Sequence, residues 1–292
     1  MFPQQITTAA SWNPKNAYNM AMVSAYETRA SSIPWNFSPV LDLGLDPRFP
    51  RQFESFGEDP LLVKTFGEAM IRGYQGDSNQ VHNKTKIAAC MKHFIGYHAT
   101  ISGKDRTPSY IPDHVLSEYH IPSFKAAIDA GAKTIMINSG IINGIPVHSS
   151  YKILTDLLRN RLGFEGVILT DWEDINKLHD RDKIVSSKKE AIRLAINAGI
   201  DMSMVPYEYE EFIDNLIELV NEGKVTMDRI DEAVSKILKL KFELDLFENP
   251  STSPSDYTDF ASEEFQGMAY QSAAEAITSV SYTHLRAHET LN

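Results

Sequence analysis

Six side chains stand where apolar runs end and polar loops begin, and they are of types that do chemistry together: Arg51, Lys92, His93, Asp171, Trp172 and Met204. Asp42, the pair Asn138-Ser139 and Pro206 fall at similar places. One carboxylate, Asp171, ringed by Lys92, Arg51 and His93 and flanked by the Trp172 indole, suits a neutral polyhydroxylated ligand. Lys and Arg donate to hydroxyls and also keep the carboxylate ionised. A unit charge about 4 Å away contributes roughly 4 kcal/mol at an effective dielectric near 20, before desolvation is subtracted. An indole face packs against the C–H side of a sugar ring. Each residue taken alone has a structural reading: an Asp after a strand caps the next helix, and a buried His is a satisfied core group. Convergence on one rim is what favours function.

Other chemistries lack their residues. GIINGIP is not a G-x-G-x-x-G phosphate cradle, no Walker pattern occurs, and G-x-S-x-G is absent. His93 and His98 are five positions apart in sequence, with no second acidic and histidine pair to complete a zinc set, so no metal and no cofactor are expected.

The elements that must hold these residues repeat one pattern, an amphipathic helix that ends in glycine and runs at once into an apolar stretch. HIPSFKAAIDAG leads into AKTIMINSG, SSYKILTDLLRNRLG into FEGVILTDW, and SSKKEAIRLAINAG into IDMSMVP. Gly131, Gly163 and Gly199 sit where a helix C-terminus takes a left-handed residue, and the runs behind them are short and apolar enough to be buried strands. Ser187 and Glu190 form an S-x-x-E capping box. IPWNFSPVLDL and TKIAACMKHF fit the same mould, beside the helices NPKNAYNMAMVSAYETRA and PLLVKTFGEAMIRGY. Five such strands imply an α/β protein with a parallel sheet covered on both faces, and in that class the chemistry gathers at the carboxyl ends of the strands. Residues 225–247 read as a longer helix with Met227, Ile230, Val234, Ile237 and Leu238 on one stripe. ENPSTSPSDYTDF is then a polar linker, and SEEFQGMAYQSAAEAIT a short helical stretch.

Composition agrees with a globular chain. The 292 residues are 42% hydrophobic, with 28 Lys+Arg against 39 Asp+Glu, a net charge of −11 that argues against a nucleic-acid partner. No run approaches the roughly 20 apolar residues of a membrane span, and MFPQQITTAASWNP shows no basic stretch followed by an apolar one. The single Cys90 excludes an internal disulfide and a cysteine zinc cluster.

Five motifs in order, FSPVLDLGLDPRFPRQFESFGEDP, AACMKHFIGYH, INGIPVHSS, LLRNRLGFEGVILTDWEDI and NAGIDMSMVP, resemble glycoside hydrolase family 3, the β-glucosidases and exo-β-glucanases. The resemblance implies a (β/α)8 TIM-type barrel over 1–247, N-terminally incomplete because the family's first strand lies upstream of the segment matching Met1. It implies a linker and the start of an absent α/β sandwich domain over 248–278. Residues 279–292, SVSYTHLRAHETLN, do not resemble that domain and read as an unrelated tail. Carried over residue by residue, Asp171 of T-D-W is the nucleophile. Arg51, Lys92 and His93 bind sugar hydroxyls, Trp172 walls the first subsite and Met204 lines it. The implied activity is a retaining, exo-acting β-glucosidase on β-linked glucan or oligosaccharide, in a periplasmic or secreted setting.

The chain departs from the family in two further places. Two-domain members often carry a Tyr where this chain has Ser139, so a contact that supports the nucleophile is lost or supplied elsewhere. In the family's single-domain β-N-acetylglucosaminidases an Asp-His dyad after KHF is the acid/base; here the loop reads Asp105-Arg106-Thr107, which disfavours that branch. Two-domain members take the acid/base Glu from the sandwich domain, so this chain is expected to be weakly active or inactive by itself. The competing readings are a β-N-acetylhexosaminidase or β-xylosidase of the same family, a non-catalytic sugar-binding barrel, and an aldolase with Lys92 as Schiff-base lysine.

Overall fold

A computed structural model describes residues 1–77 and 80–278, so the tail 279–292 lies outside the described residues. Helices α1 (Gln5–Ala10) and α2 (Pro14–Ala30) open the chain. Asn13 caps α2 by accepting from the Lys15 N–H, with Pro14 at the first helical position where no N–H is needed. After an extended stretch over 34–42, α3 (Pro60–Gln75) starts the same way from the Asp59 carboxylate and Pro60. β1 (Cys90–Phe94) follows. Then α4 (Asp113–Val115) runs through a π-helical turn, Leu116–His120, into α5 (Ile121–Asp129). β2 (Thr134–Ile137), the hairpin arms β3 (Ile141–Ile142) and β4 (Ile145–Pro146), and β5 (Val167–Leu169) come next. The helix expected before β5 forms over Lys152–Arg161 but winds as a π-helix. Ten residues of apolar spacing do not separate i→i+4 from i→i+5 winding. The remaining helices are α6 (Asp174–Asp180), α7 (Lys188–Ala198), α8 (Tyr209–Asn221), α9 (Met227–Glu243) and α10 (Glu263–Glu275).

β1, β2 and β5 pair in parallel in that order. The 34–42 stretch adds to the outer side of β1 through bridges at Trp35–Ala88 and Val40–Lys92, and 200–204 adds to β5 through Leu169–Met202. All five expected strand segments therefore lie side by side in chain order, two of them as bridged segments. One sheet face, with Leu41, Met91, Ile135 and Ile168, is buried under α2, α3, α5, α7 and the π-helix. The other carries only a small cluster of Cys90, Met136 and Leu169 with Trp35 and Met204. Cys90, Met136 and Leu169 on that second face are buried too, but the two faces are covered unequally: the helices of the αβ units gather on one side, and α9 crosses the amino ends of the strands through Leu240 and Leu244 against Ala88 and Val167.

Gly131, Gly163 and Gly199 have φ of +89°, +72° and +121°, so each ends its helix in a conformation that other residues adopt at a steric penalty. The capping box is half made. Ser187 Oγ accepts from the Glu190 N–H at 3.2 Å, but the Glu190 carboxylate turns to Arg193. The α9 stripe is split as well: Ile230 and Ile237 pack inward, while Met227, Val234 and Leu238 are exposed. α10 docks on α2, with Glu275 accepting from Asn13 and Asn16 and Phe265 edge-on to Tyr26.

Strand spacing depends on one glycine. A Cβ on Gly166 would stand 2.1 Å from the Lys133 carbonyl oxygen, which is backbone and has little room to give. Gly166→Ala is expected to lower unfolding free energy by about 1–3 kcal/mol, read as a shift in the urea midpoint. An unchanged midpoint would show that β2 and β5 can spread without penalty.

Candidate active site

The strands end on a shared rim, and Asp171 stands there two residues past β5. The residue is buried, at 8% exposure. Oδ1 accepts from the Trp172 N–H at 2.6 Å, whereas Oδ2 is buried without a hydrogen-bond partner. The cation beside Oδ2 is Arg106 Nη2, 3.6 Å away, worth roughly 4 kcal/mol at an effective dielectric of 20 before desolvation and solvent screening are subtracted. Arg106 sits on left-handed backbone, φ +57°, with Nη1 donating to Asp105 at 2.6 Å and Nε to Ser139 Oγ at 3.2 Å. Ser139 Oγ in turn donates to the buried Asp174 carboxylate, 2.8 Å. Ser139 thus fixes a guanidinium beside the nucleophile candidate.

A second group forms at the end of β1. Arg51 makes a two-point pair with Glu54 at 2.9 and 2.8 Å, donates to Tyr97 Oη at 3.1 Å, and brings Nη2 to 3.3 Å from His93 Nε2. Burial alone would lower the Arg51 pKa, and the Glu54 pairing outweighs it and raises it. The phenol of Tyr97 donates to Asp105, which joins this group to Arg106 and so to Asp171. Burial, then Asp105, pushes the Tyr97 phenol up. Nothing in the sequence marks Tyr97 or gives Arg106 a site role, and the network partner Asp105 stands there only as a dyad remnant. Asp42 was visible as a strand-end acid, but nothing in the spacing revealed that it meets His93.

Lys92 is largely buried, and desolvation lowers its pKa against the pull of Glu54. It lines, with Glu54, Phe37 and Phe53, a cavity of about 990 Å³ that does not include Asp171, Trp172 or Met204. Trp172 is 44% exposed and stands edge-on to Tyr207, centroids 6.1 Å apart. Met204 is fixed by its N–H on Thr170 Oγ1, 2.8 Å, and packs on the Cys90, Met136 and Leu169 cluster. The structure therefore brings Arg51 and His93 into contact and links them through Tyr97, Asp105 and Arg106 to Asp171. Lys92 and Met204 stay at neighbouring strand ends without touching that chain.

Asp42 accepts from the backbone N–H groups of His93, 2.8 Å, and Tyr97, 3.2 Å, and meets His93 Nδ1 at 3.0 Å. Burial pushes its carboxyl up to about 7 despite these donors. Burial, with Arg51 and Lys92 adding, holds His93 well below its usual value. Between the unfolded carboxyl pKa of about 3.9 and the folded value of about 7, the folded chain holds a proton that the unfolded chain has released. The stability Asp42 contributes is complete below pH 4 or so and is lost as pH rises through 7. Urea unfolding from pH 5 to 8 should therefore show a steeper fall for the native chain than for Asp42→Asn; parallel curves would contradict it.

The chain has clear relatives. The family described as Glycosyl hydrolase family 3 N terminal domain matches residues 1–240. The lysosomal beta glucosidase of Dictyostelium discoideum is 46% identical over 259 residues, 87% of this chain and 31% of that protein. The periplasmic beta-glucosidase of Salmonella typhimurium is 32% identical over 250 residues, 86% of this chain and 32% of that protein. Among solved structures, a beta-glucosidase from Listeria innocua in complex with glucose superposes with a TM-score of 0.89 at 34% identity, over 94% of this chain and 38% of that one. The chain spans about a third of the length of these relatives.

Proposed function

The chain belongs to glycosyl hydrolase family 3, and from that premise we propose that it carries the nucleophile half of a retaining, exo-acting β-glucosidase. The observation that supports this best is Asp171 itself. One carboxylate oxygen is tied to the Trp172 N–H, and the other is presented without a hydrogen bond beside Arg106. In the proposed reaction Oδ2 attacks the anomeric carbon of a nonreducing-end glucose, and the C1–O bond to the leaving group breaks. The leaving oxygen takes a proton from an acid. Water then attacks the glycosyl ester, passes a proton to the conjugate base of that acid, and frees β-glucose and the Asp171 carboxylate.

In this reading Arg51 and His93 hold hydroxyls of that glucose, Trp172 walls it, and Lys92 and Met204 line it. Asp105 is a poor candidate for the acid, because both its oxygens are already taken, one by the Tyr97 hydroxyl and the other by Arg106. We assign the acid to the part of the whole protein that this chain does not span, with 1–247 as the catalytic barrel and 248–278 as the link to it. A (β/α)8 closure is consistent with strand neighbours in chain order and helices on one face. The periplasmic name of one relative supports a periplasmic or secreted setting for the whole enzyme. Among the described residues no helix is long and apolar enough to cross a membrane.

Leaving groups that need little protonation bypass the missing acid. The chain should release dinitrophenol slowly from the dinitrophenyl β-glucoside, faster than from the matching β-xyloside or N-acetyl-β-glucosaminide. Preference for the N-acetylated substrate would overturn the reading in favour of a hexosaminidase, and preference for the xyloside in favour of a β-xylosidase. At the dyad position Thr107 is occupied by bonds to Ser102 Oγ and the Lys104 carbonyl.

A further inference from the structure

Asp42 converges in the interior on His93 and His98, which lie five residues apart in one stretch, with one donor atom from each within 4.8 Å of the other two. Every one of the three is 1% exposed. His98 is the anomaly among them. Both its ring nitrogens are buried and neither has a hydrogen-bond partner. A neutral imidazole always carries one N–H, so this ring leaves a buried donor and a buried acceptor unmade, at a penalty of about 1–3 kcal/mol for each such group. Its Nε2 points toward Asp42 Oδ2 at 3.9 Å, while His93 Nδ1 lies 3.0 Å from the same oxygen. Donors on a tetrahedral zinc with bonds of about 2.1 Å stand about 3.4 Å apart, between those two separations.

We propose that Asp42 Oδ2, His93 Nδ1 and His98 Nε2 form a site for a borderline divalent metal ion such as Zn²⁺, distinct from the Asp171 carboxylate. Two imidazoles and one carboxylate are the donor types such ions take. Asp42 keeps the backbone N–H of His93 on Oδ2 and that of Tyr97 on Oδ1, and gives the ion the lone pair that now faces His93 Nδ1. Arg51 and Lys92 oppose a cation here, and Glu54, paired with Arg51, offsets part of that charge.

The site has a consequence for Arg51. With its proton on Nδ1, His93 can accept from Arg51 Nη2 through Nε2, 3.3 Å away. An ion on Nδ1 moves that proton to Nε2, with no net change in charge, and two donors then face each other. Metal binding should therefore release Arg51 from His93, and by whatever factor this changes the affinity for a ligand that Arg51 holds, that ligand changes the affinity for the metal.

The site stands on its own geometry and does not depend on the glucosidase reading. The chain, stripped with chelator, is titrated with Zn²⁺ in a calorimeter, and X-ray absorption fine structure is recorded on the zinc-loaded sample. One equivalent should bind, with two imidazole nitrogens in the first shell. His98→Phe, whose ring can keep the stacking of His98 on Phe49 at 4.3 Å, should weaken binding at least tenfold. No binding, a first shell with fewer than two imidazoles, or equal affinity in a folded His98→Phe would overturn the proposal. If that variant does not fold, the first shell of the native chain decides by itself.

Discussion

Asp171→Asn is expected to slow aglycone release from an activated aryl β-glucoside by on the order of 10⁴-fold, the scale seen when a reacting group of a catalytic unit is removed. The substitution is nearly isosteric. An Asn oxygen can still accept from the Trp172 N–H, and the position it alters, Oδ2, makes no hydrogen bond to lose. The variant should therefore unfold within about 1 kcal/mol of the native chain, so that a loss of rate is a loss of chemistry. Rate against urea midpoint, measured on the same preparations, separates the two. A variant that keeps a tenth or more of the native rate would remove Asp171 from the reaction.

The largest effect on stability is expected far from that rim. Asp201, fully buried, accepts from Arg159 and from Arg229 at 2.7 Å and also from the Ile168 N–H at 2.9 Å. It ties the π-helix, β5 and α9 at one point. Both arginines are mostly buried, with side-chain exposures of 12% and 13%, and burial lowers the Arg159 pKa. Asp201→Ala leaves two guanidinium groups and one backbone N–H without their acceptor, and is expected to destabilise by about 3–5 kcal/mol. Removing Arg229 instead leaves Asp201 paired with Arg159 and the Ile168 N–H, so that change should cost less than loss of the shared carboxylate. Equilibrium urea unfolding of both variants checks the order. A loss under 1 kcal/mol for Asp201→Ala would mean that the arginines find water.

Much of the architecture was legible because it is periodic. Gly131, Gly163 and Gly199 mark helix ends by a conformational demand that only a few residue types meet, and the apolar runs behind them leave little choice but a strand. The side on which the helices lie was not legible, since a fully buried parallel strand is apolar on both faces whatever covers it. Nor was the split of α9, because Val234 and Ile237 look alike until the neighbours are known.

The site divides the same way. Asp171, Arg51, Lys92 and His93 stood out as ionisable residues at the ends of apolar runs, and position alone raised them. Arg106 did not, because its role comes from a left-handed backbone that turns its guanidinium toward Asp171 from a loop 65 residues earlier in the chain. The Asp42, His93 and His98 cluster is a similar case. Read along the sequence, the two histidines lack an acid, and folding supplies one from 51 residues before His93.

The central claim is that Asp171 forms a covalent bond to the anomeric carbon. The direct measurement incubates the folded chain with a 2-deoxy-2-fluoro-β-glucoside bearing a dinitrophenyl leaving group, then weighs the protein and maps the modified peptide. The account predicts a single fluoroglucosyl adduct on Asp171 that is absent from Asp171→Asn. No adduct on the folded chain, or one that persists in Asp171→Asn, would contradict it.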